Sequence, residues 1–324
     1  MKIIIPGGRG QIGAFLTRAL VRDGHEVVVF SRNPRPSSDR GVRDIAWDGR
    51  SIGAWVKELE GADVLLNLAG RSVNCRYGPD KRREIFDSRV DSTRILAEAV
   101  RTASRPPRAW LQASTATYYA HRYDAPNDET TGILGGDEDM PDTWRFSLEV
   151  ASAWERAVTE GGPLPSTRVV YMRTSIAMSP DRGGAFDYML NLVRRGLGGQ
   201  AGNGRQYVSW IHDQDLVRAV KWIIEREHLS GPINLAAPNP LPNAEFMRAF
   251  RKAWGIPIGL PAMEWMVEVG CFLLRTESEL ILKSRRVVPR RLLEDGFQFE
   301  FPEWGPAAQD LCARWRKSSA ASLG

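Results

Sequence analysis

Lys2-Ile3-Ile4-Ile5-Pro6-Gly7-Gly8-Arg9-Gly10-Gln11-Ile12-Gly13 is the stretch that decides the fold. A short apolar run reads as a buried strand, and the glycines follow it without an intervening loop. From Gln11 to Asp23 the apolar residues Ile12, Phe15, Leu16, Ala19 and Leu20 recur at helical spacing, and Gly24 stops the helix. A glycine pattern alone is weak evidence. Between a strand and an amphipathic helix it specifies a turn whose backbone can approach a pyrophosphate, with the free amides of the helix N-terminus facing the anion. Gly7, Gly10, Gln11, Ile12 and Gly13 are therefore candidate dinucleotide contacts.

Outward from this turn, strands and helices alternate. Strands are expected at Glu26–Ser31, Asp63–Leu68, Ala109–Ser114 and Thr167–Arg173, and helices at Pro79–Thr102 and Trp144–Glu160. Alternation of this kind predicts an α/β fold, a Rossmann-type doubly wound parallel sheet with helices on both faces. Beyond about residue 175 glycine and proline become frequent, as in Arg195–Gly204, and helices are expected at Asp213–Glu227 and Ala244–Trp254. We divide the chain into a Rossmann domain, 1–175, and a smaller cap region, 176–324, intertwined with it.

The end of the second strand bears on the choice of dinucleotide. An NAD site usually carries an acid there for the ribose hydroxyls. This chain has Phe30-Ser31-Arg32-Asn33-Pro34 instead. Ser31 and Arg32 can hydrogen-bond a 2′-phosphate, the guanidinium with two parallel bonds, so the expected cofactor is NADP(H). Asp48, in Trp47-Asp48-Gly49, is a candidate for the adenine amine. Leu68, Ala69 and Gly70 are small enough as a group to let the backbone pass beside a ribose.

Composition sets limits. The 324 residues carry 44 basic and 39 acidic side chains, a net charge of +5 with no long block of one sign. That argues against a nucleic-acid partner. The densest basic stretch, Ser284–Arg291, reads as solvated surface or as an anion-binding patch. Cys75, Cys271 and Cys312 are too few and too scattered for a disulfide framework or a zinc site, and fit reduced thiols in the cytoplasm. The first apolar run is too short for a signal peptide. Ala262–Leu274 is interrupted by Glu264 and Glu268 on one helical face, which predicts an amphipathic helix and no membrane span.

These residues together resemble a known group: the atypical short-chain dehydrogenase/reductases of the epimerase-like, or cell-division-inhibitor-like, family, with a C-terminal domain of unknown function. The resemblance rests on Gly7–Gly13, Ser31–Pro34, Asn67–Gly70, Asp87–Arg94, Gly198-Gly199, Gly204–Gln206, Trp210–His212 and Ala237–Pro240. It implies cofactor contacts at Ser31, Arg32, Leu68, Ala69, Glu84, Arg89 and Ile176. Typical members of the larger superfamily use Tyr-x-x-x-Lys on the helix after the fifth strand, where tyrosine handles the proton and lysine assists it. Aligned on Trp154-Glu155, that helix carries Ser147 and Ala151 instead. A Tyr-x-x-x-Lys at Tyr77–Lys81 precedes a different helix and spans Pro79, so it reads as chance.

Substitute chemistry has few candidates. Ser114 matches the substrate-orienting hydroxyl of the family, and Thr115 lies beside it. Tyr118 or Tyr119 can offer a phenol, and His212, in a stretch expected to line the pocket, can act as a base. Packing under the cap explains the tyrosines equally, and burial explains the histidine. Asp213 or Asp215 is expected to cap the helix that follows. Two functions stay open: an NADP(H)-dependent oxidoreductase or epimerase on an unidentified small substrate, or a non-catalytic NADP(H)-sensing regulator. A homodimer also stays open.

Overall fold

The computed structural model describes residues 1–35, 40–136, 138–273 and 277–321. Eleven strands are described, in chain order β1 (Lys2–Pro6), β2 (Glu26–Ser31), β3 (Val42–Ala46), β4 (Val64–Asn67), β5 (Ala109–Thr115), β6 (Arg168–Thr174), β7 (Ile176–Met178), β8 (Tyr207–Val208), β9 (Trp210–His212), β10 (Gly231–Leu235) and β11 (Leu241–Pro242). The α-helices are α1 (Gln11–Arg22), α2 (Pro79–Thr102), α3 (Asp142–Arg156), α4 (Ala185–Arg194), α5 (Asp213–Glu225), α6 (Asn243–Trp254), α7 (Glu264–Leu273), α8 (Glu279–Leu282), α9 (Arg290–Glu294) and α10 (Trp304–Ala321).

Seven strands form one sheet in the order β10-β6-β5-β4-β1-β2-β3, and every pairing is parallel. Strands buried on both faces need apolar residues at every position, and Ile3, Ile4, Ile5, Val27, Val28 and Val29 are all fully buried. Alternate residues feed two different cores. Ile3 and Ile5 pack with Phe15 and Leu16 of α1 and Leu216 and Val220 of α5. Ile4 and Val28 pack on the other face with Leu96 and Val100 of α2. Chain order reverses between β1 and β4, so a crevice opens there at the carboxyl ends of the strands, the usual ligand position in such sheets.

The last strand of the sheet, β10, comes from beyond residue 175 and pairs along β6. The C-terminal part thus adds to the Rossmann sheet as well as covering it. A third core holds the cap: Phe186, Trp210, Phe246, Phe250, Trp304 and Trp315 are all buried there.

One reading of a surface segment changes. Ser284–Arg291 is threaded through the fold and is not a solvated face: Ser284, Arg285 and Val287 are buried. Its backbone binds Tyr207 and Asn127 on either side, because an internal extended segment must pair its own amides and carbonyls. Helix α7 forms as expected, except that Leu274 lies outside the described residues. It buries Val267 and Cys271, one turn apart, and leaves Trp265, Met266, Val269 and Phe272 exposed. A helix touching its neighbours along a single ridge cannot bury a whole apolar face.

Gly13 leaves no room for a side chain. A Cβ there would lie 2.6 Å from the Gly8 Cα and 2.7 Å from the Gly7 carbonyl oxygen, both rigid backbone. Gly13→Ala should lower the unfolding free energy by about 1–3 kcal/mol in urea titration, the usual range for overpacking.

Candidate functional site

The glycine turn is shaped by close approach. Gly7 has a φ of +79°, and a Cβ on it would sit 2.6 Å from the Leu68 carbonyl oxygen at the end of β4. Gly10 precedes α1 with ordinary extended backbone and no side-chain cap, and the first turn of α1 holds no acid. The first amides of the helix are left for an anion. On the far side of the crevice Asn67 is fully buried. Its amide nitrogen donates to Gln112 (2.9 Å) and Thr93 (3.1 Å), and its oxygen accepts from the Ala69 amide (3.1 Å). This fixes the Leu68-Ala69-Gly70 turn beside the glycine loop.

From this crevice runs a cavity of about 460 Å³. Gly7, Gly10, Gln11, Ile12, Gly13, Leu68 and Gly70 line one end of it, and Arg89, Ser114 and Thr115 line its middle. At the other end are Tyr77, Phe146, Ser147, Glu279 and Leu280. Arg89 reaches in from α2 with its guanidinium 4.9 Å from the Trp154 ring, and makes no carboxylate pair among the described residues. Burial holds it down to about 10, well below the ordinary arginine value.

The adenosine candidates gather elsewhere. Arg32 and Asp48 line a second concavity with Ala46, Trp47 and Trp55. Arg32 is exposed and makes no ion pair among the described residues. Asp48 accepts from the Arg50 amide (2.9 Å) and from the amide and hydroxyl of Ser51, which hold its carboxyl down at about 2. Ser31 accepts from the Asn33 amide (3.2 Å). An acid does lie nearby: Asp44, on β3, is gripped by both arms of Arg9 (2.9 and 2.7 Å). The arginine of the glycine loop thus neutralises it, a pairing across 35 residues that spacing could not reveal.

Two further candidates stand apart. Glu84 is exposed on α2 and pairs with Arg71 and Lys81. Ile176 packs against the cap core at the start of β7, whereas its neighbours Thr174 and Ser175 face the cavity.

The candidates for chemistry separate more sharply. Ser114 donates to Glu155 (2.5 Å), which takes a two-pronged grip from Arg173 at 2.9 Å on each arm. Arg173 also donates to the Tyr119 hydroxyl (3.1 Å), which donates to Asn234 (3.0 Å). Tyr119 is therefore buried with its phenol committed away from the cavity, and burial pushes its pKa up. The Tyr118 ring lies 5.2 Å from the same guanidinium. Thr115 lines the cavity, and its hydroxyl accepts from the Thr117 amide (3.1 Å). His212 is fully buried outside the cavity, stacked on Phe301 at 3.9 Å. It caps α5 through Nδ1, which accepts from the Gln214 amide (3.2 Å), and its Nε2 faces Asp310 (3.1 Å). The histidine shares the Gln214 amide with Asp213, whose Oδ1 accepts from it at 3.1 Å while its carboxylate pairs with Arg314, and Asp215 accepts from the Glu300 and Phe301 amides. Neither Tyr119 nor His212 can reach a substrate in the cavity.

Sequence reasoning missed Tyr77. The tyrosine set aside as chance is on the cavity wall, whereas its motif partner Lys81 is outside and paired with Glu84.

Fold and cavity together define a Rossmann-type protein of the short-chain dehydrogenase/reductase kind. More narrowly, the chain belongs to the NAD dependent epimerase/dehydratase family, whose model matches residues 3–236. A domain of unknown function, DUF1731, matches residues 264–311. The chain is 35% identical over 317 residues to the epimerase family protein SDR39U1 of Bos taurus, covering 97% of this chain and 100% of that one. It is 30% identical to the epimerase family protein YfhF of Bacillus subtilis, covering 97% and 98%. The crystal structure of the human epimerase family protein SDR39U1 with NADPH superimposes with a TM-score of 0.83 at 32% identity, covering 97% of this chain and 99% of that chain.

Burial holds His212 below its ordinary pKa. The unfolded chain, with a histidine near 6.5, then binds a proton at acidic pH that the folded chain refuses, so this residue removes stability as pH falls below about 6.5. His212→Asn, which keeps a capping oxygen, should flatten that loss when unfolding midpoints are compared at pH 7.5 and 5.5. An unchanged slope would show that His212 does not titrate in this range.

Proposed function

We propose that this chain binds NADP(H) in the crevice between β1 and β4 and uses it as an oxidoreductase or epimerase on a small substrate in the adjoining cavity. The observation that carries this reading is the continuity of one cavity from the glycine turn to a buried phenol, hydroxyl and carboxylate. The residues fit the cofactor. Side chains at Gly7 and Gly13 would collide with backbone, whereas a Cβ at Gly10 would meet only the Gly7 oxygen, at 3.2 Å. The turn is therefore open where a pyrophosphate would lie.

Gly7, Gly10, Gln11, Ile12 and Gly13 would hold the pyrophosphate, Ser31 and Arg32 the 2′-phosphate, and Leu68, Ala69, Gly70 and Arg89 the second ribose. Asp48, in the concavity beside Arg32, is the proposed partner of the adenine amine. Bound there, the nicotinamide supplies or accepts a hydride. Ser114 and Thr115 orient a substrate oxygen from the cavity floor, and the apolar wall excludes water.

A regulator that senses NADP(H) without catalysis is the second reading. It is favoured by Ala151, which is fully buried where a lysine would be needed. Turnover of any member of a carbonyl and alcohol panel decides against it.

NADPH should bind more tightly than NADH, and Arg32→Ala should remove most of the difference. A charge-assisted hydrogen bond contributes about 1.5–3 kcal/mol, roughly ten- to a hundredfold in affinity. Equal calorimetric affinities in the native protein would exclude the assignment of Arg32. Gly10→Val should retain the native circular dichroism and melting temperature and lose NADPH binding, since its side chain would occupy the pyrophosphate's space.

A further inference from the structure

The far wall of the cavity carries three polar groups that cofactor binding leaves unused. Tyr77 enters on the loop before α2. It is 7% exposed, with its ring edge-on to Phe146 at 5.3 Å. Its phenol and the Ser147 hydroxyl share this wall of the cavity. Ser147 donates in turn to Oε2 of Glu279 at 2.6 Å. Glu279 is 1% exposed, its Oε1 has no hydrogen-bond partner, and Lys283 and Arg285 each stand 3.8 Å from it.

The order of donors gives these groups a direction. A serine hydroxyl has one proton, and Ser147 gives it to Glu279, so its oxygen is left to accept from a phenol such as Tyr77. Ser147 occupies the place on α3 where the missing catalytic tyrosine would stand. A phenol has returned to that place from the opposite wall, and the carboxylate behind it comes from the segment matched by the domain of unknown function.

We propose that Tyr77 is the catalytic residue that exchanges a proton with the substrate oxygen, and that Ser147 and Glu279 are positioning residues that pass this proton to and from the phenol. The proposal rests on the oxidoreductase or epimerase reading above. In oxidation, the substrate O–H breaks as a new O–H forms on Tyr77. The former Tyr77 proton moves to the Ser147 oxygen, and the former Ser147 proton moves to Glu279, which becomes neutral. The hydride leaving the substrate carbon is what a bound nicotinamide takes up. Reduction runs the same transfers backwards and delivers the proton to a carbonyl oxygen. Val73, Ile85, Val150 and Leu280 line this end. They select small secondary alcohols and carbonyl compounds with apolar substituents.

The surroundings keep the phenol in its donating form. Burial first, and then the charge of Glu279, push Tyr77 up to about 12, against the opposing effects of Ser147 and of Arg89 from α2, with Cys75 of its own loop adding slightly. A neutral phenol at pH 7 is the species that can donate to a carbonyl oxygen.

Two measurements test this. Cofactor-free protein labelled with 3-fluorotyrosine gives a fluorine resonance for Tyr77, identified by its loss in Tyr77→Phe. It should titrate above the exposed tyrosines, and its midpoint should fall in Glu279→Gln. An unmoved midpoint would overturn the relay. In steady-state assays on small ketones and secondary alcohols with NADP(H), Tyr77→Phe should lower kcat by about a hundred- to ten-thousandfold. Calorimetric NADPH affinity should stay native, and the retained ring keeps the packing on Phe146. Ser147→Ala and Glu279→Gln should lower kcat with little change in KM. Full turnover in Tyr77→Phe would overturn the role of Tyr77 while leaving the proposed function standing. Native protein that binds NADPH and turns over nothing would remove the catalytic reading, and this role with it.

Discussion

The approach of the Gly7 backbone to the carbonyl of Leu68 is the constraint on which the rest of the structure depends. It is possible only without a side chain, since a Cβ would stand 2.6 Å from that oxygen. It brings the end of β1 against the end of β4, at the point where strand order reverses. From it follow the angle at which α1 leaves the sheet, the exposure of its first amides and the crevice beside them. Asn67 holds the other side rigid through Thr93, Gln112 and the Ala69 amide. A crevice shaped by backbone has little freedom to relax, which suits a ligand bound largely through backbone donors.

Behind the crevice, the polar interior divides into two networks with different consequences. Ser114, Glu155, Arg173, Tyr119 and Asn234 satisfy one another, and the ion pair within them is bidentate. Such a network fixes β5, β6 and β10 against α3, and only Ser114, whose oxygen can still accept, faces the cavity from it. The second network, Tyr77, Ser147 and Glu279, is incomplete. One carboxylate oxygen is buried without a hydrogen bond, with Lys283 and Arg285 each 3.8 Å away, and all three residues face the cavity. A buried acceptor left open is costly in a structural element and useful in a site.

The C-terminal segment belongs to both the fold and the site. Its extended stretch around Arg285 and Val287 is buried between Tyr207 and Asn127, and α8 delivers Glu279 to the cavity. Lys283, donating to the Thr117 carbonyl at 2.9 Å, ties it to the loop after β5. Burial lowers this lysine to about 8, which weakens the cation beside Glu279. The cap is thus bound to the Rossmann sheet by buried polar contacts as well as by β10.

The sequence by itself determined the parallel sheet, the glycine turn and the helix α2, whose bounds match the expected Pro79–Thr102. Those features follow from periodicity and from residues adjacent in the chain, where a local steric rule suffices. Through the family resemblance it also placed Ser147 and Ala151 where a tyrosine and a lysine are expected. Only the tertiary structure decided which side chains face the cavity. Tyr119 and His212 carry the right chemistry and are turned into the protein by partners 115 and 98 residues away. Tyr77 carries a motif whose lysine points elsewhere, and it meets Ser147 and Glu279 across 70 residues and more. Glu279 gave no signal, because a glutamate in a short surface-like stretch beside Glu277 becomes notable only when burial removes its water. Contacts between distant segments are set by how helices pack on the sheet, and no spacing within the chain encodes them.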